Sequence, residues 1–267
     1  EHGSIKEGLI AVASGKGGVG KSTVAVNLAV ALNESDKRVG IIDADVHGFS
    51  VPRILGLKEE AKALNENEII PPHTEEGIKL ISMGSFVEED NPVIWRGPLL
   101  NKALEQFLQD VHWGPLDYLV LDLPPGTGDM SINIMQRLPH AETVVVTTPQ
   151  ITATSVAGRI GKMAEKMNSD IIGVIENMSY YICPECNYKD YIFGEGGGKA
   201  LAEELNTELL GEIPLETSIR ESGDEGESII IDNPDAIISQ EFLKIGKNII
   251  NRDHFFDPDK EAMVNKK

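Results

Sequence analysis

The stretch S-G-K-G-G-V-G-K-S-T, residues 14–23, decides the fold of this chain. Residues 15–22 match the pattern G-x-x-x-x-G-K-[S/T], with an apolar run before them and a helical pattern after them. In such a loop the glycines let the backbone curl, so that successive N–H groups point at phosphate oxygens, and the positive end of the following helix adds to the attraction. The stretch therefore predicts a nucleotide phosphate site formed by Gly15, Lys16, Gly17, Gly18, Val19, Gly20, Lys21, Ser22 and Thr23.

Three side chains of this loop have distinct tasks in the predicted site. Lys21 would bridge the β- and γ-phosphates, Ser22 would ligate Mg²⁺, and Thr23 would reach the α-phosphate. The loop also carries a second lysine, Lys16, where the general pattern needs only one.

Short apolar runs alternate with helical patterns along the rest of the chain. Strand-like runs cover residues 8–13, 38–43, 117–123, 142–147 and 171–176, and helical periodicity covers residues 21–32, 99–111 and 154–167. Strands that alternate with helices favour a parallel sheet covered on both faces. We predict an α/β fold with a doubly wound, mostly parallel sheet, in which ligands bind at the carboxyl ends of the strands.

The length of 267 residues fits one large domain. We expect a single P-loop domain over residues 9–250. An N-terminal tail of residues 1–8, whose E-H-G-S start is typical of an expression remnant, would precede it, and a polar tail of residues 251–267 would follow it. Two inserts interrupt the alternation: residues 69–81, predicted to form a small hairpin, and residues 180–195, predicted to project as a loop or hairpin.

Acidic residues dominate the charge of the chain. It has 43 Asp and Glu against 24 Lys and Arg, a net charge of −19. Such a surface repels nucleic acid and anionic lipid, and the sequence has neither an apolar run long enough to cross a bilayer nor an apolar N-terminal signal. We therefore expect a cytoplasmic protein that binds neither nucleic acid nor membrane.

Polar side chains follow several of the predicted strands. Asp122 ends the third strand and fits the acid that holds Mg²⁺ directly or through water, and the Gly126 N–H in the segment after it would sense the γ-phosphate. Asp43 and Asp45 follow the second strand, a natural place for a first switch, and Asn177 follows the fifth. Because the carboxyl ends of parallel strands share one edge, these residues are expected to meet the phosphate loop.

The only two cysteines, Cys183 and Cys186, form a C-x-x-C pair. Two thiolates cannot close a tetrahedral metal site, and a [4Fe–4S] cluster normally takes four. In a two-fold dimer the same loop occurs twice and would supply four thiolates to one shared centre. The residues alone leave three interpretations open: a bridging cluster, a zinc or redox pair, and an inert loop.

Taken together, the motifs resemble the Mrp/ApbC branch of the deviant Walker A ATPases, which are iron–sulfur cluster scaffolds or carriers. The signature K-G-G-x-G-K-[S/T] of the wider group stands at residues 16–23, with both lysines. Phe49 departs from the branch, which usually has proline there. The further motifs of the branch match residues 43–52 (DADVHGFSVP), 121–129 (LDLPPGTGD), 173–186 (GVIENMSYYICPEC), 193–198 (FGEGGG) and 210–215 (LGEIPL).

This resemblance implies roles for individual residues. Lys16 would reach the phosphates bound by a partner subunit, as an arginine finger does. Asp45 would position the attacking water, and Asp43 would support the metal shell. The same resemblance implies that the adenine is bound by Asn177, Pro214 and Leu215.

We interpret the chain as a homodimeric ATPase that uses ATP and Mg²⁺. Cys183 and Cys186 of two subunits would hold a [4Fe–4S] cluster, which is then transferred to apo iron–sulfur proteins. One rival is a partition or division-site ATPase of the same fold, which needs a basic DNA-binding surface or a C-terminal membrane helix. The other is a structural dimer bridged by zinc.

Overall fold

The computed structural model describes residues 5–45, 48, 50–65, 68–86, 97–138, 140–150, 153–167 and 169–252. Seven strands form the main sheet, and four more form two small hairpins. The main strands are β1 (Ile5–Ser14), β2 (Val39–Asp43), β5 (Lys79–Ser82), β6 (Leu116–Asp122), β7 (Glu142–Thr147), β8 (Ile171–Glu176) and β11 (Leu209–Glu212). The hairpin strands are β3 (Lys62–Asn65) with β4 (Glu68–Ile70), and β9 (Tyr181–Ile182) with β10 (Lys189–Asp190).

Helices connect and cover these strands. They are α1 (Lys21–Asn33), α2 (Val51–Ile54), α3 (Gly97–Gln109), α4 (Asp129–Met135), α5 (Ala153–Met167), α6 (Gly197–Glu204), α7 (Thr217–Glu225), α8 (Ile229–Asp232) and α9 (Ile237–Ile250), with a 3₁₀ turn at Met83–Phe86. None of the helices within the described ranges has the length and apolar character needed to cross a bilayer.

The main sheet runs in the order β11-β8-β7-β1-β6-β2-β5, and every pair in it is parallel. Successive side chains of β1 point to opposite faces because a strand has a period of two. Ile10 and Val12 pack in the core that includes α1 and α9, whereas Leu9 and Ala11 pack in the core that includes α3 and α4. This confirms the predicted doubly wound α/β fold with helices on both faces.

Three local differences from the sequence prediction have clear causes. β1 begins at Ile5 rather than at residue 8, because Ile5 already pairs with Leu116 of β6. The insert at residues 69–81 does not form one hairpin by itself. Instead, β4 pairs with the preceding β3, and β5 joins the main sheet beside β2. Helix α1 is buried on all sides between Val24 and Leu32, not on one stripe, because α9 packs over its outer side.

Candidate nucleotide cleft and cysteine hairpin

A cleft of about 740 Å³ lies at the carboxyl edge of the sheet. The phosphate loop follows β1 there, Asp45 follows β2, and Asn177 follows β8. The predicted residues that line the cleft are Lys16, Gly17, Gly18, Gly20, Lys21, Ser22, Thr23, Asp45, Asn177, Pro214 and Leu215. Gly15, Val19, Asp43 and Asp122 are not among its lining residues; Val19 packs in the core, and the two acids are buried beneath the loop.

The phosphate loop has the curled backbone that the pattern predicts. Gly18 and Gly20 have φ of 79° and 81°, in the left-handed region, and Gly20 directly precedes α1. A Cβ on Gly20 would lie 2.3 Å from the Asn177 Nδ2, so only glycine allows the loop to approach Asn177 this closely. No acidic side chain occupies the first turn of α1, which keeps its positive end available to an anion.

Lys21 points inward at the acids of two neighbouring strands. Its Nζ donates to the Asp122 Oδ1 at 2.5 Å and lies 3.9 Å from the Asp45 Oδ2. Lys21 is 6% exposed and Asp122 is fully buried, so this ion pair is shielded from water. Burial raises the pKa of Asp122, and the neighbouring Lys21 opposes that shift.

Asp43 is a second fully buried carboxyl beside the first. It is the cross-strand partner of Asp122 in the β2–β6 register. Its oxygens accept hydrogen bonds from the Asp45 N–H at 3.2 Å and the Ser82 hydroxyl at 3.1 Å. Burial, and then repulsion from Asp122, raise the pKa of Asp43 to about 7.

The oxygen atoms at this edge of the sheet are suitable ligands for Mg²⁺. The Ser22 hydroxyl donates to the Asp122 Oδ2 at 2.5 Å, so a hydroxyl and a carboxylate already converge beside the phosphate loop. Mg²⁺ prefers such hard oxygen ligands and keeps several waters. Asp43 lies on the neighbouring strand. Its connection to this region is the hydrogen bond that it accepts from the Asp45 N–H.

Three predicted nucleotide residues make protein contacts that the sequence did not indicate. The Asn177 Nδ2 donates to the Val19 carbonyl at 2.9 Å, so this side chain braces the loop as well as lining the cleft. The Gly126 N–H, predicted to sense a phosphate, instead donates to the Ser14 carbonyl at 3.0 Å. The second lysine, Lys16, is exposed, and its Nζ lies 3.5 Å from the Gln150 Oε1.

Both cysteines sit at the turn of the β9–β10 hairpin. The Cys183 N–H donates to the Tyr188 carbonyl at 3.0 Å, and the Asn187 N–H donates to the Cys183 carbonyl at 2.8 Å. Cys183 is half-buried and Cys186 is exposed. Hydrogen bonds from the Cys186 and Glu185 backbone and from the Cys186 side chain lower the pKa of Cys183, which favours the thiolate that binds metals.

The hairpin and the cleft share a wall. Tyr181 of β9 and Ile192, just after β10, line the cleft, and the Leu215 N–H donates to the Tyr180 carbonyl at 2.7 Å. Tyr181 and Ile192 were not predicted as cleft residues, although both lie in the insert that follows Asn177. Arg220 of α7 was not predicted either, because its segment carries no motif that would have identified it.

Within the part of the chain that the structure describes, one copy does not offer a complete ligand set around the cysteines. Over the described ranges, no group of three or more His, Cys, Asp or Glu side chains is placed to hold a metal ion. The hairpin therefore presents two sulfur ligands.

Comparison with known proteins adds independent information. A family model described as "ParA: NUBPL iron-transfer P-loop NTPase" matches residues 5–250. The "Iron-sulfur cluster carrier protein" of Synechocystis is 45% identical over 254 residues, which are 94% of this chain and 72% of that protein. The protein of the same name from Bacillus subtilis is 53% identical over 207 residues, which are 78% of this chain and 58% of that protein.

A solved structure has the same architecture. It is a nucleotide-binding protein from Archaeoglobus fulgidus in complex with ADP, with 38% identity and a TM-score of 0.75, covering 88% of this chain and 91% of that one. The family model spans almost all of the described fold, including the phosphate loop and the cysteine hairpin. The chain therefore belongs to the ParA family of P-loop NTPases, in its NUBPL iron-transfer group.

Proposed function

We propose that this chain is an ATP-hydrolysing carrier of iron–sulfur clusters. It binds a [4Fe–4S] cluster between two copies of itself and delivers the cluster to apo iron–sulfur proteins. The observation that carries this proposal is the hairpin turn, which holds two thiols, one half-buried and one exposed, beside the nucleotide cleft. The names of the Synechocystis and Bacillus subtilis relatives support it.

Two copies complete the ligand set that one copy lacks. A [4Fe–4S] cluster takes four thiolates, and Cys183 and Cys186 from each of two chains supply four. A two-fold axis through the hairpin tips brings the pairs together with equivalent geometry. The exposed Cys186 and the exposed neighbouring Tyr188 leave this tip accessible to a second copy.

The cleft supplies the residues for ATP hydrolysis. Lys21 leaves the Asp122 carboxylate to bind the phosphates, and Asp45, 3.9 Å from the Lys21 Nζ, orients the attacking water. Mg²⁺, when bound at Ser22 and Asp122, neutralises charge on the phosphates. The Lys16 side chain is exposed, and in the two-chain assembly it would reach the phosphates bound by the other copy. Asn177, Pro214 and Leu215, which line the cleft, bind the adenine.

The shared wall gives hydrolysis a way to act on the cluster. The segment that follows Asn177 runs without interruption into β9, so nucleotide contacts at the cleft move the base of the hairpin. Because the two hairpins hold one cluster, a change in their separation changes all four sulfur positions. Binding at the two sites is then thermodynamically coupled.

Anaerobic reconstitution with iron and sulfide tests the proposal. The wild-type chain should bind about two iron and two sulfide per chain, half of a [4Fe–4S] cluster, with a broad visible absorption band. Cys183→Ser and Cys186→Ser should each lose the cluster, because each substitution acts in both chains and leaves only two thiolates at the shared site. Glu185→Gln, an exposed change between the cysteines, is the matched control and should retain it.

Two results would overturn the proposal. One is a full iron content in Cys183→Ser. The other is anaerobically purified protein that holds zinc alone and shows no visible band, which would favour the structural dimer. Transfer of the bound cluster to an apo [4Fe–4S] enzyme, measured as recovered activity of that enzyme, tests the carrier role separately.

A further inference from the structure

We propose that Glu176 is a positioning residue that links the nucleotide cleft to both ends of the cysteine hairpin segment. This inference rests on the proposed function. Glu176 ends β8 and is 1% exposed, and no cation among the described residues forms an ion pair with it. It has no assigned task in the phosphate, magnesium or base sites.

One carboxylate holds the segment where it leaves the sheet and where it returns. The Glu176 Oε1 accepts a hydrogen bond from the Ser179 hydroxyl at 2.6 Å, and the Glu176 Oε2 accepts one from the Gly198 N–H. Ser179 lies just before β9, and Gly198 lies in the first turn of α6, after the hairpin. The stretch between them, residues 180–197, contains both cysteines and is therefore closed at its base by a single side chain.

These contacts are buried and leave little freedom. Ser179 is fully buried, and Gly198 is buried at the start of α6. The positive end of that helix favours a negatively charged group at the position of Glu176. A buried hydroxyl and a buried N–H that lose their shared acceptor must find another, so removal of the Glu176 side chain weakens the attachment of both ends of the segment together.

The same residue is tied to the cleft through its backbone neighbours. Asn177 follows it directly and donates to the Val19 carbonyl in the phosphate loop at 2.9 Å. The Glu176 carbonyl accepts from the Ile213 N–H at 2.8 Å, at the start of the segment that carries Pro214 and Leu215. A shift of the phosphate loop, or of the segment with Pro214 and Leu215, on nucleotide binding would therefore displace Glu176. Through Glu176 it would displace both ends of the hairpin segment.

A glutamine at position 176 should preserve this arrangement. Its amide oxygen can accept from the Gly198 N–H, and its NH₂ can donate to Ser179. The Ser179 hydroxyl can then turn to the Glu212 Oε1, which already lies 3.3 Å away. Alanine at the same position offers neither group. The comparison of the two substitutions therefore tests the hydrogen bonds of this side chain rather than its charge.

Hydrogen exchange of the cluster-free full chain, with and without Mg-ADP, tests the inference. In wild type and in Glu176→Gln, Mg-ADP should slow exchange of residues 180–192 by about threefold or more, since the hairpin base becomes tied to an occupied cleft. In Glu176→Ala this slowing should disappear, while the phosphate loop is still protected by ADP. Glu212→Ala is the matched control, because it removes the weaker contact to Ser179 and leaves Gly198 held; it should behave as wild type.

Several outcomes would overturn the inference. One is that Mg-ADP slows exchange of the hairpin in Glu176→Ala as much as in wild type. Another is that this slowing is lost in Glu176→Gln, and a third is that Mg-ADP has no effect on the hairpin of the wild type. If Glu176→Ala does not fold, Ser179→Ala replaces it and should lose part of the protection, and full retention there would contradict the inference. Failure of wild type to bind a cluster would refute the proposed function but leave this exchange result standing, so the two failures are distinguishable.

Discussion

At the scale of single residues, three ionisable side chains are buried at the cleft, although the fold alone does not require charge there. Asp43 and Asp122 are adjacent cross-strand partners, both fully buried, and Lys21 is paired with only one of them at close range. Each carboxyl loses its hydration on burial, and the two repel one another when both are ionised. Burial raises the pKa of both carboxyls, and repulsion from Asp122 raises the pKa of Asp43 further. Raised pKa values of this kind are typical of functional sites.

The raised pKa of Asp43 predicts a specific pH dependence of stability. Its folded value of about 7 lies above the ordinary value of 3.8, so the folded state binds more protons than the unfolded state between these pH values. Stability from this group is therefore present at low pH and is lost as pH rises toward 7. Asp43→Asn should remove that loss, so its free energy of unfolding should gain about 2–3 kcal/mol relative to wild type between about pH 5 and about pH 8.

Urea denaturation of both proteins at the two pH values measures this difference. An asparagine can still accept from the Asp45 N–H and donate to the Ser82 hydroxyl, so the substitution is close to isosteric. A difference between wild type and variant that is constant with pH, or that falls as pH rises, would show that Asp43 is ionised in the folded protein across this range.

Sequence reasoning could place these residues but not their partners. Apolar runs that end in Asp43 and Asp122 locate both at the carboxyl edge, since that follows from parallel topology alone. The bond from the Gly126 N–H to the Ser14 carbonyl depends on how two loops fold against each other. The position of Glu176 beneath the hairpin likewise joins groups distant in the chain, and a strand-end glutamate by itself indicates nothing about them.

At the scale of elements, α2 and α7 meet at a contact between two glycines beside the cleft. Gly56 has φ of 64°, and a Cβ there would lie 2.3 Å from the Gly226 carbonyl oxygen. Arg53 of α2 and Asp224 of α7 pair across the same contact, and both line the cleft. The exposed ion pair contributes little by itself, so the close backbone approach sets the distance between the two helices.

We therefore predict that Gly56→Ala opens this side of the cleft. The added Cβ meets backbone that cannot rotate away, so the helices must separate. ADP affinity should fall by about tenfold, corresponding to ~1.4 kcal/mol, by isothermal titration calorimetry. Gly77→Ala is the matched control, because Gly77 also has a left-handed φ, of 89°, but nothing lies within 4 Å of its Cβ position.

The control separates backbone strain from the contact. Gly77→Ala should lose about 1 kcal/mol of stability from the strained φ and keep wild-type ADP affinity. An equal loss of ADP affinity in the two variants would mean that the α2–α7 distance does not control the cleft.

Element prediction succeeded where the apolar runs were long and failed where they were short. The strands β6, β7 and β8 were placed within one residue of their bounds because each is a nearly continuous buried run. The four-residue strands β5 and β11 were not predicted as strands, since a short strand at a sheet edge has too few residues to show a pattern. The β9–β10 hairpin was predicted as a projecting loop or hairpin, and the structure has it as a hairpin.

At the scale of the whole molecule, the nucleotide cleft and the cysteine hairpin share one edge of the sheet. The continuous segment from Asn177 to Leu215 contacts the phosphate loop, carries the cysteine hairpin and contributes Pro214 and Leu215 to the cleft. In the proposed function, the two thiols need two more sulfur ligands, and the exposed Lys16 acts on the phosphates of a second copy. Both requirements favour assembly through this edge.

Native mass spectrometry of the anaerobically reconstituted chain, with Mg²⁺ and a non-hydrolysable ATP analogue, tests this assembly most directly. The account predicts a species of two chains that carries the mass of one [4Fe–4S] cluster, and its absence in Cys183→Ser under the same conditions. Single chains that carry a complete cluster, or two-chain species that form without any cluster and bind none, would contradict it.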